Sequence, residues 1–483
     1  MNTKALKLWM QLRTASAAIL RGSIYAGVAL SMISVGRAAQ PASDQYWPEW
    51  RGPLGNGVAP SASPPITWSE TEHIRWKVKI PGSGTSTPII WDNHVFIQTA
   101  IPTGKKIEPP APKSDAPPAA AEAPAGNQPG RRRGGPGGGG GGFGGGPKPT
   151  EVLQFVILCL DRQTGKTLWQ QTAREEVPHE GHHRTDGSFA SSSPVTDGKH
   201  VFAYFGSRGL YCYDMSGKLQ WSQDFGDMRI ALSFGEGSSP TLSGDTIIAN
   251  WDNEDGSFII ALDKTTGKTL WKQARDERTS WSTPLVVEHN GKPQVVTTAT
   301  GKIRSYDVAS GQLLWECGGL TRNVIPSPVA GHGMVYCMSG FQGNALKAIR
   351  LGGTGDLTGS DAIVWSHGKS TPYVPSPLLY DDKLYFFAAN NERLSCFDAK
   401  TGRSLVDAAP MAGLAGVYAS PVGANGKVYL VGRNGVTLAV KQSDPSEVLA
   451  TNKLDEKFDA SPAIAGKDLL LRGREYLYCI AEK

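Results

Sequence analysis

The sequence contains no pair of adjacent cysteines, no Cys-x-x-Cys-His haem-attachment motif and no apolar run of membrane-spanning length. The apolar stretch at 24–35 covers about 12 residues, whereas a membrane helix takes roughly 20. No transmembrane span is therefore expected once a leader is removed; an uncleaved anchor is the alternative. Cysteine is scarce, with six in 483 residues, and none lies near 36–39, which excludes a lipobox and a lipid-anchored mature form. A basic surplus is also missing where it would matter. Of the formal charge of +5, five positive charges belong to 1–43 and a net four to 101–150, which leaves −4 for the rest. The bulk of the chain thus has no basic footprint for nucleic acid.

Residues 1–40 read as an export signal. Lys4, Lys7, Arg13 and Arg21 form a basic n-region, the apolar run follows, and Gly36-Arg37-Ala38 or Arg37-Ala38-Ala39 offers small residues for cleavage. The expected address is periplasmic or extracellular. Residues 41–65 form a lead-in. The segment 101–150 holds 14 of the 58 glycines and 11 of the 33 prolines, with Arg131-Arg132-Arg133 at its centre and almost nothing apolar to bury. It is expected to be a disordered insert.

A Ser/Thr-Pro pair recurs eight times, each time opening a short apolar run. The prolines are Pro88, Pro194, Pro240, Pro284, Pro328, Pro377, Pro421 and Pro462, at spacings of 106, 46, 44, 44, 49, 44 and 41 residues. A period near 44 with strand-like contents points to a propeller of four-stranded blades, and the spacing of 106 contains the insert. Around Pro194 the strands are Pro194-Val195 (A), Val201 to Phe205 (B), Leu210 to Tyr213 (C) and one carrying Trp221 (D), separated by Asp/Gly turns. The turn into strand D repeats as Asp-x3-Gly-x3-Trp at Asp161, Asp263 and Asp307. Trp76, Trp169, Trp221, Trp271, Trp315 and Trp365 are expected to wedge between neighbouring blades. Two blades depart: one has an enlarged C–D turn at 351–360, and in the next Val406 stands where Trp is expected.

The chain ends on a strand C, Tyr476 to Ile480, with nothing left to form strand D. Arg75-Trp76-Lys77 is a strand D without its own A, B and C. The two are expected to pair, so that the last blade closes from both termini and leaves no free sheet edge. The fold class is all-β, an eight-bladed propeller over 66–483. Cys159, Cys212 and Cys396 occupy one strand position in different blades, a blade apart and too far for ordinary disulfide geometry. The cysteines read as small buried hydrophobes, with a bridge involving Cys317 left open.

The eight Trp-bearing blades resemble the pyrroloquinoline-quinone (PQQ) repeat family, the quinoprotein alcohol dehydrogenase-like propellers, over about 66–481. Trp47-Pro48-Glu49-Trp50-Arg51-Gly52-Pro53 is similar to the lead-in of exported bacterial members. The resemblance implies either a PQQ- and calcium-dependent dehydrogenase or a non-enzymatic scaffold such as the barrel-assembly propeller; fold alone does not choose. The dehydrogenase branch clamps its cofactor with adjacent cysteines, which this chain lacks, so no cofactor is expected and PQQ with calcium is the alternative. The scaffold's lipobox is missing as well.

Three histidines, His179, His182 and His183, with Glu180, form the densest group of ligand-type side chains. His-Glu-x-x-His protease chemistry needs a helix, and Pro178 and Gly181 argue against one. A loop site for zinc or another divalent ion is one reading; plain hydrogen bonding within the loop is the other. In an up-down-up-down blade the D–A and B–C connections share a face, so this loop and the insert decorate the same end of the propeller. Other D–A connections bring Glu236, Arg278, Trp281, Arg322, Asn323, Tyr373, Tyr418 and Asp459 there, a mixture suited to recognising a ligand or peptide. The expectation is a monomeric, exported, non-catalytic platform for a protein or envelope polymer. The alternatives are a PQQ-dependent alcohol or aldose dehydrogenase and a metal-dependent site at His179–His183.

Overall fold

The computed structural model describes residues 42–107 and 144–482. The expected export signal and most of the expected insert lie outside the described residues. Eight antiparallel sheets, each built on four strands A to D, make up the ring. Blade 1 comprises Ile89–Trp91, His94–Lys106, Glu151–Asp161 and Thr167–Glu176. Blades 2 to 7 begin at Val195, Thr241, Leu285, Val329, Leu378 and Val422. Blade 8 is made of Ala463–Ala465, Asp468–Arg472 and Tyr476–Ile480, with Ile74–Lys79 as its outer strand. Trp76 lies opposite Cys479 in that pairing, so the two ends of the chain close the ring as expected. In blade 1 the first residues after 100 continue strand B: Pro102 pairs with Leu153 and Lys106 with Glu151, so ladder pairing extends further into 101–150 than the composition indicates.

The recurring Ser/Thr-Pro pair builds the axis. Proline has no amide hydrogen and holds the residue before it extended, so the Ser or Thr amide is free to point at the adjacent blade. The Thr87 amide donates to the Ser193 hydroxyl, Ser193 to Ser239, Ser239 to Thr283, Thr283 to Ser327, Ser327 to Ser376, Ser376 to Ser420, and Ser420 to Ser461, all at 2.8–3.0 Å. Seven links thus run head to tail around the channel. The eighth is open: the Thr87 hydroxyl is buried and has no hydrogen-bond partner among the described residues. At that seam Arg472 of blade 8 donates instead to the Ser86 carbonyl at 3.1 Å.

The tryptophans dock by a rule that couples two repeats. Trp76, Trp169, Trp221, Trp271 and Trp365 each donate the indole N–H to a carbonyl of the next blade, Arg162, Met215, Lys264, Val308 and Ala399, at 2.7–3.0 Å. Each ring lies on that blade's turn glycine, Gly165, Gly217, Gly267, Gly311 or Gly402, where an added Cβ would come within 2.5–2.7 Å of it. Trp315 differs. It packs with Val335, Ile349 and Leu357 of blade 5, but its N–H donates to Gln294 of its own blade at 3.0 Å. The enlarged turn of blade 5 has no equivalent glycine; instead Gly355–Asp356 pairs alongside Trp315 and Glu316 and covers the indole. Val406 obeys the same logic, because the blade 7 turn it faces, 441–447, contains no glycine.

All six cysteines are free and buried. Cys159, Cys212, Cys396 and Cys479 share one register position, each opposite the Trp or Val406 of strand D.

Candidate functional site at the axial channel

The two ends of the channel are different. One is closed by the lead-in, which crosses the inner strands of most blades. Trp47 exchanges backbone hydrogen bonds with Ile90 of blade 1 at 2.8 and 3.1 Å, and the Pro48 carbonyl accepts the Thr196 amide of blade 2 at 2.9 Å. Arg51 donates through Nη2 to the carbonyls of Pro377 and Pro421, in blades 6 and 7, at 2.9 and 3.0 Å. Val58–Ala59 then adds a parallel strand to the inner edge of blade 7, and Ser63 reaches Gly466 of blade 8 at 2.7 Å. Gly57 is obligatory in this path: its φ is +90°, and a Cβ there would sit 2.2 Å from the Arg51 guanidinium. Burial pushes the Glu49 carboxyl up to about 7, partly offset by a hydrogen bond from Thr241.

The other end opens into a cavity of about 400 Å³. Trp50 of the lead-in reaches it from the closed end, and six of the eight Ser/Thr residues of the axial ring line it. Its upper wall contains Phe234, Trp281, Tyr373 and Tyr418 with Glu236, His183, Asp186 and Asp459. Neither lysine nor arginine is among the lining residues. The Glu236 carboxylate accepts from the Ser207 amide at 2.7 Å and from its hydroxyl at 2.5 Å, and burial holds its carboxyl above the usual range. Trp281 is fixed by its N–H on the Gly235 carbonyl at 2.7 Å, and Tyr373 stacks on Phe341 with ring centroids 4.9 Å apart.

The loop joining blades 1 and 2 reaches across this mouth. Asp186 pairs with Arg433 of blade 7 at 2.7 Å and accepts the Tyr418 hydroxyl at 3.0 Å, while Arg474 of blade 8 donates to the Thr185 carbonyl at 2.6 Å. Arg433 lies 4.0 Å from the Tyr418 ring centroid and also pairs with Asp459 at 2.5 Å; Arg474 pairs with the same Asp459 at 3.0 Å. Burial raises the Asp186 carboxyl, but the Arg433 hydrogen bond and charge outweigh it and hold the group below its ordinary value.

Of the residues expected at this face, His183, Glu236, Trp281, Tyr373, Tyr418 and Asp459 line the cavity. His179 and Glu180 line a smaller pocket of about 30 Å³ beside it, with Arg208 and Glu236. Arg278 and Arg322 are exposed and stand outside the lining; Asn323 turns with φ +52° and donates its amide to Thr300 at 3.2 Å. The three imidazoles are not brought together. His179 contacts the Met228 carbonyl at 2.6 Å and Arg208 at 2.9 Å, His182 the His183 carbonyl at 2.8 Å, and His183 stands 3.4 Å from Asp186. Among the described residues no group of three or more His, Cys, Asp or Glu is arranged to hold a metal ion. Gly145 pairs with His183, and the Gly146 amide donates to the His182 carbonyl at 2.6 Å, so the chain leaving the insert does meet the histidine loop, as topology requires. Sequence reasoning missed Trp50, Asp186 and Arg433. Trp50 lies inside the Trp47–Pro53 lead-in, but nothing local in the sequence marks it as axial.

Comparison with known proteins agrees with the repeat pattern. The family described as outer membrane protein assembly factor BamB matches residues 154–408. The chain belongs to that PQQ-repeat family. No curated protein matches it in sequence. Among solved structures, BamB from Moraxella catarrhalis is 14% identical, with 68% of this chain and 93% of that one covered and a TM-score of 0.47. The quinohemoprotein alcohol dehydrogenase ADHIIG from Pseudomonas putida HK5 is 10% identical, with 92% and 82% covered and a TM-score of 0.52. At such identity the likeness is one of fold.

The PQQ-repeat fold implies a quinone site on the axis, and the lining can be tested for it. PQQ is a tricarboxylate and needs cationic donors. Here the lining carries three carboxyl side chains and no arginine or lysine, and the nearby Arg433 is engaged by Asp186 and Asp459. The residues present do not fit that group.

Proposed function

We propose that this protein is an exported, non-catalytic platform whose open funnel binds a protein or polymer of the cell envelope. The observation that carries this reading is the asymmetry of the channel: one end is closed by the chain itself, and the other presents aromatic walls, carboxylates and a ring of hydroxyls. Aromatic faces beside carboxylates, with no cation in the lining, suit a cationic or neutral group of the partner. Family membership supports the reading, because the matched family is described as an assembly factor. Export rests on the leader-like residues 1–40.

The test has two arms. Titration of the protein with PQQ, with and without calcium, read by tryptophan fluorescence, is expected to give flat traces; saturable calcium-dependent quenching would establish the dehydrogenase reading instead. In the second arm a photo-crosslinker replaces exposed Arg322 in intact cells. One envelope partner is expected, lost on Tyr373→Ala with Tm unchanged. Partner loss that always follows loss of Tm would defeat the platform.

A further inference from the structure

The closed end of the channel contains a charge that no described carboxylate pairs with. Arg51 is 4% exposed. Its Nη2 donates to the Pro377 and Pro421 carbonyls, but Nε and Nη1 have no hydrogen-bond partner among the described residues. Among the described residues no carboxylate stands within 4 Å of the guanidinium. Two other deeply buried arginines show how such a group is otherwise satisfied: Arg275 is paired with Asp252 at 2.7 Å, with both side chains fully buried, while Arg472, which has no carboxylate partner among the described residues, donates to the carbonyl and hydroxyl of Ser86. A buried guanidinium without such a partner is costly by several kcal/mol, and two unused donors add to the cost.

The space beside Arg51 is shaped for a small guest. A cavity of about 20 Å³ is lined by Glu49, Trp50 and Arg51 of the lead-in and by Thr241, Thr283 and Ser327 of blades 3, 4 and 5. Roughly 10–15 Å³ suffices for one water-sized particle. Arg51 thus spans the axis, with Nη2 on blades 6 and 7 and its side chain among the residues that line the cavity on the side of blades 3 to 5. Glu49 lines the same cavity but does not pair with Arg51, and its hydrogen bond is to Thr241 at 3.4 Å. Burial raises this carboxyl to about 7, so around neutral pH it carries only part of a negative charge.

We propose that Arg51 holds a small monovalent anion, with chloride as the probe, in the axial cavity between the lead-in and blades 3 to 5. The anion takes the two N–H groups that lack a partner and compensates the buried charge, which locks the lead-in into the closed end of the channel. The proposal is independent of what the open funnel binds.

Thermal unfolding of the whole mature protein in chloride, against gluconate at equal ionic strength, tests it. The expected result is a saturable rise in Tm of about 2 °C or more with chloride, absent in Arg51→Met. Equal Tm in the two salts, or the same chloride response in Arg51→Met, would overturn the site. Should that variant fail to fold, crystals of the native protein grown in bromide decide. An anomalous peak within hydrogen-bond distance of Nε or Nη1 supports the site; surface peaks alone, an adventitious ion only, reject it in favour of water.

Discussion

The two ends of the axial channel are built on the same eight inner strands, yet one is shut and the other open. At the open end the repeats supply a ring of hydroxyls, and the connections between blades, different in each repeat, supply the side chains above it. At the closed end a non-repeating segment, 47–63, crosses blade after blade and fills the hole that the repeats leave. The repeated part of the sequence therefore determines the frame, and the unrepeated parts determine what each end can do.

The comparison breaks most severely at Trp47. It is fully buried, and its ring packs on Gly52, whose Cβ position lies 2.7 Å from it. Trp47→Ala is expected to cost about 3–5 kcal/mol in urea unfolding, with ligand or partner binding at the open funnel preserved in the folded fraction. A loss below about 1 kcal/mol would mean that the plug is an accessory rather than part of the core. A smaller effect belongs to the hydroxyl ring. Ser239→Ala removes the acceptor for the buried Ser193 amide and should cost about 1–2 kcal/mol; a neutral result would show that channel water replaces the link.

How much of this was legible follows from the same division. Eight Ser/Thr-Pro pairs gave eight blades, and Asp-x3-Gly-x3-Trp gave Trp169, Trp271 and Trp315, because each is a local pattern repeated in register. Even the exceptions were visible as departures at 351–360 and Val406, although what each turn does to the side chain facing it needed three dimensions: Gly355–Asp356 pairs alongside Trp315, and the turn facing Val406 has no glycine. The plug was invisible because its partners are remote: Arg51 meets carbonyls 326 and 370 residues away. Asp186 and Arg433 likewise pair at the mouth although blade 8 lies between their blades. The histidine cluster shows the converse: residues adjacent in sequence place three imidazoles on separate partners, in line with the reading of plain hydrogen bonding within the loop.

Charge at the closed end gives a pH signature. The Glu49 carboxyl titrates near 7 in the folded protein, against a reference of 4.5, so the native state binds a proton more tightly than the unfolded chain. The stability from this group is present in full below about 4.5, declines as pH rises through the interval up to about 7, and is lost above it. Glu49→Gln keeps the neutral shape and should flatten that decline when Tm is followed from pH 5 to 8. Parallel curves for both proteins would assign the slope to other groups, such as Glu236 at the open end.

The smallest expected effect is the most discriminating. Thr87 belongs to the hydroxyl ring by sequence, yet its Oγ1 receives no amide, because the seam between blades 8 and 1 is bridged by Arg472 instead. Thr87→Val keeps the shape and removes only a buried hydroxyl that has no partner, so stability should stay within about 0.5 kcal/mol of native or rise. The Thr87 amide still donates to Ser193 in that variant. A cost as large as that of Ser239→Ala would show that the eighth link closes in solution, making the seam one more repeat interface. A neutral result beside a destabilised Ser239→Ala would establish that seven hydroxyls hold the ring and that the eighth position, where the chain's two ends meet, is held by other means.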